Sequence, residues 1–586
     1  MKEYSLGTWD LSCLAPHHES SAFREKLKEI EEKVDEFEKK KSLLKNDIPS
    51  EDFYGIVRLC EELSEEMSKI GHYAHLLFAS DTSNPKVRSL LAKVDEFNAK
   101  IANKTLFFNL WWKKGIDEQN AQRLLRDAGQ LRHYLARQRE LARYALSEPE
   151  EKIINIKDVT GVGFIRKLYD QYTERFVFQI TVDGKKKKFL KPQIVSLFHS
   201  PDPDKRRAAY RSLLKVYGAN EDVLGEIYRT VVLDWKNEAV DLRGYDSPIS
   251  VRNVLNDVSD ETVETLLNVC RKNRTVFQRY FKAKAKLLGM KKMSRYHIYA
   301  PISAEEKEYP FPEAVKLVLN ALKGFSPEIA ELAEKVLREN HLDSQVRKGK
   351  RGGAFCATAS PSITPFVLVN YTGKQSDVFT LAHELGHAVH SLLAADKSIL
   401  VQHAPLPLAE LASIFSEMVL TERLYETASR EEKVYLIARQ LDDMYATIMR
   451  QAYFTVFEKD AHKTIAEGAT VNEVSDIYYR NLKEQFGTAL WLPENFRYEW
   501  TYIPHFYHTP FYTYAYSFGN LLTVAVYQKY LKDRTFVNQY IKILSAGGSE
   551  NPEELLKKAD INVKSEQFWQ TGFDYIQKRT EELEKL

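Results

Sequence analysis

Cysteine is scarce. The 586-residue chain has four, Cys13, Cys60, Cys270 and Cys356, widely separated and with no CxxC pair. That argues against a disulfide framework and against a cysteine zinc site. Glycine (24) and proline (20) are few for the length, and neither an internal repeat nor a low-complexity linker interrupts the chain. An excess of one charge is missing as well, since 84 Lys and Arg face 82 Asp and Glu. Without a long-range field, neither nucleic acid nor an anionic membrane is an expected partner, and recognition has to be local, inside a cleft. No apolar run approaches the roughly 20 residues that span a bilayer. The opening MKEYSLGTWDLSCLAP lacks a basic stretch followed by an apolar one, so no signal peptide is expected and the cytoplasm is the expected compartment.

What remains is an ordinary globular composition, 44% hydrophobic and 28% charged, too long for one core. Phe23, Leu27, Ile30, Val34 and Phe37 recur at steps of four and three, the pattern of an amphipathic helix that packs within a lobe. Helical spacing continues through 51–145 and from Pro201 to the end. At 176–190 the pattern changes. Phe176, Phe178, Ile180 and Val182 alternate with polar or smaller residues, Asp183-Gly184 favours a tight turn, and Lys185 to Lys188 follow. This predicts a small hairpin whose lysines blunt a solvated edge, in preference to binding phosphate. Residues 348–353 read as a loop without P-loop order, and Phe366 to Tyr371 as a strand. The expected fold is mainly α, with an N-terminal helical lobe over 1–200 and a second domain over 201–586.

The chemistry lies in DVFTLAHELGHAVHSLL, residues 377–393. His383 and His387 are four apart, so on a helix both imidazoles leave one face and can share a metal. Glu384 sits about 100° round the helix, outside the ligand set but within reach of a water. Two neutral nitrogen ligands, an open position and a carboxylate are the parts of metal-assisted hydrolysis with Glu384 as general base. Chance produces HExxH in such a chain only about 0.02–0.03 times, and unpaired His and Glu are costly in so apolar a run.

Spacing limits the third ligand. A metzincin needs Gly at 390 and His at 393, where this chain has His390 and Leu393. A Glu about twenty residues beyond the second His is also missing, since 406 and 407 are Leu and Pro. The next carboxylates, Glu410 and Glu417, fall with Ser413 on one face of a helix predicted over 408–420. Glu410 is assigned as third ligand and Glu417 as acceptor for an imidazole N–H, with the exchanged roles as the alternative. His390 lies about 10 Å up the axis from His383, too far for the same ion, and reads as a core histidine. His403 and Asp396 have no periodicity behind them. The segment from Trp500 to Gly519 gathers His505, His508, Tyr502, Tyr507, Tyr512, Tyr514 and Tyr516, enough donors to steady an oxyanion or a peptide backbone. The alternative is an aromatic core helix. Phe366, Val367, Leu368 and Val369 offer an edge that an extended peptide could pair with, or an ordinary strand.

Together these residues resemble the oligoendopeptidase F family, zinc oligopeptidases related to thimet oligopeptidase. The likeness takes in Gly349-Lys350-Arg351, Gly353-Ala354-Phe355, Asn370-Tyr371, Asp377 to Ala382, Glu410 to Glu417 and the aromatic segment. It covers about 200–586, with Trp9-Asp10-Leu11 as a looser match. His297 before Ile298-Tyr299-Ala300-Pro301, and Cys356-Ala357-Thr358, depart from the family pattern. The resemblance implies a two-lobed helical zinc peptidase with a deep substrate channel and a small β-sheet near the site. It further implies one Zn2+ ion with Glu410 as third ligand, and cleavage of short unstructured peptides. It points to His505, Tyr507 and Tyr514 as substrate and oxyanion donors, with His508 and Tyr512 as alternates. The competing readings are a non-catalytic peptide-binding scaffold with a structural metal, and a zinc hydrolase of another acyl bond. Nothing in the sequence sets the oligomeric state.

Overall fold

Apolar residues spaced at three and four need helices to share one face, and 71% of the structure is helical. The computed structural model describes residues 4–182, 184–302 and 307–586. Ser21–Lys39 is the expected amphipathic helix. Ser20 caps it by accepting from the Phe23 N–H, and Phe23, Ile30, Val34 and Phe37 are buried. It packs against Ser50–Ser80 and Pro85–Leu110, so the lobe-packing reading describes it. No described helix is long and apolar enough to cross a membrane.

The chain forms two compact units, each assembled from three stretches. Unit 1 comprises 1–143, 306–424 and 529–561, and unit 2 comprises 144–305, 425–528 and 562–586. A single cut near residue 200 does not describe this division. Helices choose neighbours by their apolar faces, and no change of composition marks the points where the chain passes from one unit to the other.

In unit 2, β1 (Phe178–Val182) pairs antiparallel with β2 (Lys185–Phe189). Phe178 and Ile180 are buried while the β2 lysines are exposed, the blunted edge that the alternation predicts. Asp183, of the expected turn, lies outside the described residues.

In unit 1 a three-stranded sheet joins β3 (Leu342–Asp343), β4 (Phe355–Ala357) and β5 (Phe366–Leu368) in the order β3-β5-β4. β5 is therefore central, parallel to β3 and antiparallel to β4. Phe366, Val367, Leu368 and Val369 are at most 2% exposed, which corrects the expectation that they present an edge to a peptide. The edge strands are β3 and β4. A buried lysine fixes this arrangement: Lys350 Nζ donates to the carbonyls of Asp343 (3.1 Å) and Val369 (2.7 Å) and pairs with the Asp343 carboxylate at 2.9 Å. Asn370 donates to the carbonyls of Arg351 and Gly353 at 3.0 and 2.8 Å and so ties down the loop that leads into β4.

Candidate metal centre

The HExxH segment forms the helix Gln375–Leu393 in unit 1. Asp377 sets its start by accepting from the Thr372 N–H (2.6 Å) and hydroxyl (2.7 Å) and from the Lys374 N–H. Val378, Leu381, Ala382, Leu385 and Ala388 are completely buried, so hydrophobic packing places the two histidines. The predicted helix over 408–420 is interrupted. Leu406–Ala409 and Leu411–Thr427 are separate helices, and Glu410 stands at the break. The break turns the Glu410 side chain toward the histidines, and the Ser413 hydroxyl donates to its carboxylate at 2.8 Å.

Gly386, between the two histidines, makes the approach possible. A Cβ there would meet Ser413 Cα at 2.6 Å and the Ala412 carbonyl oxygen at 2.7 Å. The backbones of the two helices touch at this glycine. Small residues at 409, 412 and 413 suggest such an approach in the sequence, but Gly386 carries no mark of its role beyond being a glycine inside a helix.

The three donors converge. His383 Nε2 and His387 Nε2 are 3.2 Å apart, and Glu410 Oε2 lies 3.4 Å from the first and 3.5 Å from the second. Bonds of about 2.0–2.1 Å from a tetrahedral ion place ligand atoms about 3.3–3.4 Å apart. The triangle has the edges of such a tetrahedron, and its fourth corner is not a protein ligand among the described residues. Glu417 lies against the other nitrogen of His383. Its carboxylate meets His383 Nδ1 at 2.7 Å, which fixes that N–H and leaves the Nε2 lone pair for a cation. Glu417→Gln should weaken zinc binding about 10- to 100-fold, read by competition with a chromophoric chelator, with secondary structure unchanged. Unchanged affinity would remove Glu417 from this role.

The electrostatics favour a cation. Burial works against protonation of His383, but Glu417, Glu410 and Glu384 outweigh it and raise its pKa to about 9. Burial lowers the pKa of His387 and holds His390 neutral, near 4, as a core histidine would be. Glu384 is 7% exposed, and burial pushes its carboxyl up to about 7. Glu384, His383, His387 and Glu410 line a cavity of about 420 Å3 with Phe355 and Cys356 of β4. A second depression, of about 870 Å3, shares Ala354, Phe355, Cys356, Thr358 and His403 with it and continues past Met67 and His75. Phe355 and Cys356 of β4 line both hollows, and the smaller one reaches the three candidate ligands.

The aromatic segment lies in unit 2. Tyr507 and Tyr514 have no solvent exposure. Tyr507 stacks on Tyr169 at 3.8 Å, and the Tyr514 hydroxyl accepts from Asn256 at 2.8 Å. Both rings are core side chains here, which corrects their expected role as donors. His505, His508 and Tyr512 are partly exposed. His508 Nε2 is tied to Asp170 at 2.9 Å, while the His505 and Tyr512 rings lie parallel with centroids 6.0 Å apart.

Comparison with known proteins bears on the same residues. The family model of peptidase family M3 matches residues 196–575, which include the histidine helix, Glu410, Glu417 and the aromatic segment. Chromosomal oligoendopeptidase F of Lactococcus lactis subsp. cremoris is 27% identical over 89% of this chain and 88% of its own length. A solved structure of a Chlamydophila abortus protein is similar with a TM-score of 0.86 at 25% identity, covering 99% of this chain and 98% of that one. Oligoendopeptidase-F from Enterococcus faecium shares the fold with a TM-score of 0.70 at 24% identity, over 96% of this chain and 98% of that one. With a matching family model over most of its length and the HExxH helix inside the match, the chain belongs to peptidase family M3 and is a metalloendopeptidase related to oligoendopeptidase F.

Proposed function

We propose that the protein hydrolyses internal bonds of short, unstructured peptides with one zinc ion held by His383, His387 and Glu410. The observation that carries this reading is the triangle of donor atoms, with edges of 3.2, 3.4 and 3.5 Å. When bound, the ion supplies Lewis-acid polarisation at an open position. Glu384 takes the proton from the attacking water and delivers it to the leaving amine. A carboxyl raised to about 7 exchanges protons in both directions near neutral pH, which a base that must later act as an acid requires. Glu417 holds the His383 ring in one tautomer.

The free edge of β4 gives a substrate-binding mode. An extended peptide that pairs with Phe355–Ala357 is recognised through its backbone, so cleavage tolerates many side chains. Internally quenched peptides with blocked termini test both parts. Cleavage between internal residues is expected, and N-methylation of alternate backbone nitrogens should lower kcat/KM about fivefold per lost hydrogen bond. Intact blocked peptides would contradict the endopeptidase reading. Equal tolerance of N-methylation at every position would contradict pairing with β4 and leave the metal chemistry standing.

A further inference from the structure

The two hollows of unit 1 meet along β4, and their linings carry little positive charge. Among the described residues, Arg351 is the only lysine or arginine that lines either of them. Its main chain is fixed on both sides. The N–H donates to the Ala79 carbonyl at 2.8 Å, and the carbonyl accepts from Asn370 at 3.0 Å. Both bonds belong to the backbone, so a change of side chain leaves them in place.

The guanidinium lies over the Phe355 ring, 5.6 Å from its centroid, and its Nη1 is 3.5 Å from His75 Nε2. Neither neighbour cancels the charge. Burial, with Arg351 adding to it, lowers the pKa of His75, so that ring is neutral at pH 7. The neighbouring basic residues are paired, since Lys350 and Arg347 both meet the Asp343 carboxylate. Arg351 forms no ion pair with a described carboxylate. That includes Asp95, the acidic residue in the lining of the larger hollow. Stacking on Phe355 uses the flat face of the guanidinium and leaves its N–H edge free for a planar carboxylate.

We propose that Arg351 sets a preference for substrates that place a carboxylate against it, from an acidic side chain or from the C-terminus of the peptide. The inference rests on the peptidase reading above and adds a charge preference at one position to it. Arg351 is stacked on Phe355, and Phe355 and Cys356 also line the cavity of the candidate ligands. An extended peptide advances about 3.3 Å per residue, so the preferred carboxylate belongs to a residue close to the scissile bond.

Blocked, internally quenched peptides with Glu moved through each position, each against its Gln counterpart, test this. At one position Glu should lower KM about tenfold relative to Gln with kcat unchanged, as expected of a contact made equally in the ground and transition states. Arg351→Gln should erase that difference and leave the Gln peptide unaffected. Arg351→Glu should invert it, so that Lys is preferred at the same position. Arg351→Lys should keep part of the preference, as a point charge without the planar fork. Where the position follows the scissile bond, peptides that end there as free acid and as amide separate the two sources. About a tenfold difference means that the site takes the chain terminus, and equal KM means that it takes only a side chain. Equal KM for Glu and Gln at every position, or a preference that survives Arg351→Glu, would overturn the proposal. If no peptide is cleaved, the endopeptidase reading fails by itself. Fluorescence anisotropy of labelled Glu and Gln peptides on the wild type and Arg351→Glu then decides the role of Arg351 by the same criterion.

Discussion

Glu384→Gln should keep the metal and lower kcat by about 10²–10⁴-fold. Glutamine has nearly the shape of glutamate but cannot take a proton from water at neutral pH. The substitution leaves His383, His387 and Glu410 untouched, so zinc content measured by plasma mass spectrometry should stay at one per chain. Peptide affinity should also change little, which places the loss in kcat and not in KM. A variant that kept full activity would remove Glu384 from the chemistry and leave the metal site without a general base.

Gly386→Ala is the second large effect. One methyl group would sit 2.6 Å from Ser413 Cα and 2.7 Å from the Ala412 carbonyl, and backbone cannot swing aside as a side chain does. The histidine helix and the helix Leu411–Thr427 must separate, and Glu410 and Glu417 move with the second of them. A misplacement of about 1 Å at a reacting centre costs about 10²-fold, so kcat/KM should fall by at least that much, together with zinc affinity. Gly324→Ala is the matched control, because a Cβ there meets nothing within 4 Å. It should leave both quantities unchanged. Equal behaviour of the two variants would show that the close approach at Gly386 does not hold the ligand set together.

Local patterns were readable from sequence, and non-local ones were not. The helix Ser21–Lys39 and the hairpin β1–β2 follow from spacing within a few residues. So does the shared face of His383 and His387. Glu410 and Glu417 were legible because a carboxylate stripe on a buried helix needs a cation or a donor, and the histidines supplied the partner. The order β3-β5-β4 could not be read, since a run as apolar as Phe366–Val369 suits a central strand as well as an edge. Tyr507 and Tyr514 are chemically equivalent in the sequence to Tyr512. Which phenols are enclosed depends on Tyr169 and Asn256, more than two hundred residues away in the chain. Gly386 shows the same limit, because the backbone that requires it to be glycine belongs to another helix.

The central claim is most directly tested by anomalous scattering at the zinc absorption edge from crystals of the zinc-loaded protein. One peak per chain is expected, about 2.0–2.2 Å from His383 Nε2, His387 Nε2 and a Glu410 carboxylate oxygen, with Glu417 outside bonding distance of the ion. A peak elsewhere, or an ion enclosed by a fourth protein ligand with no open position, would contradict the account.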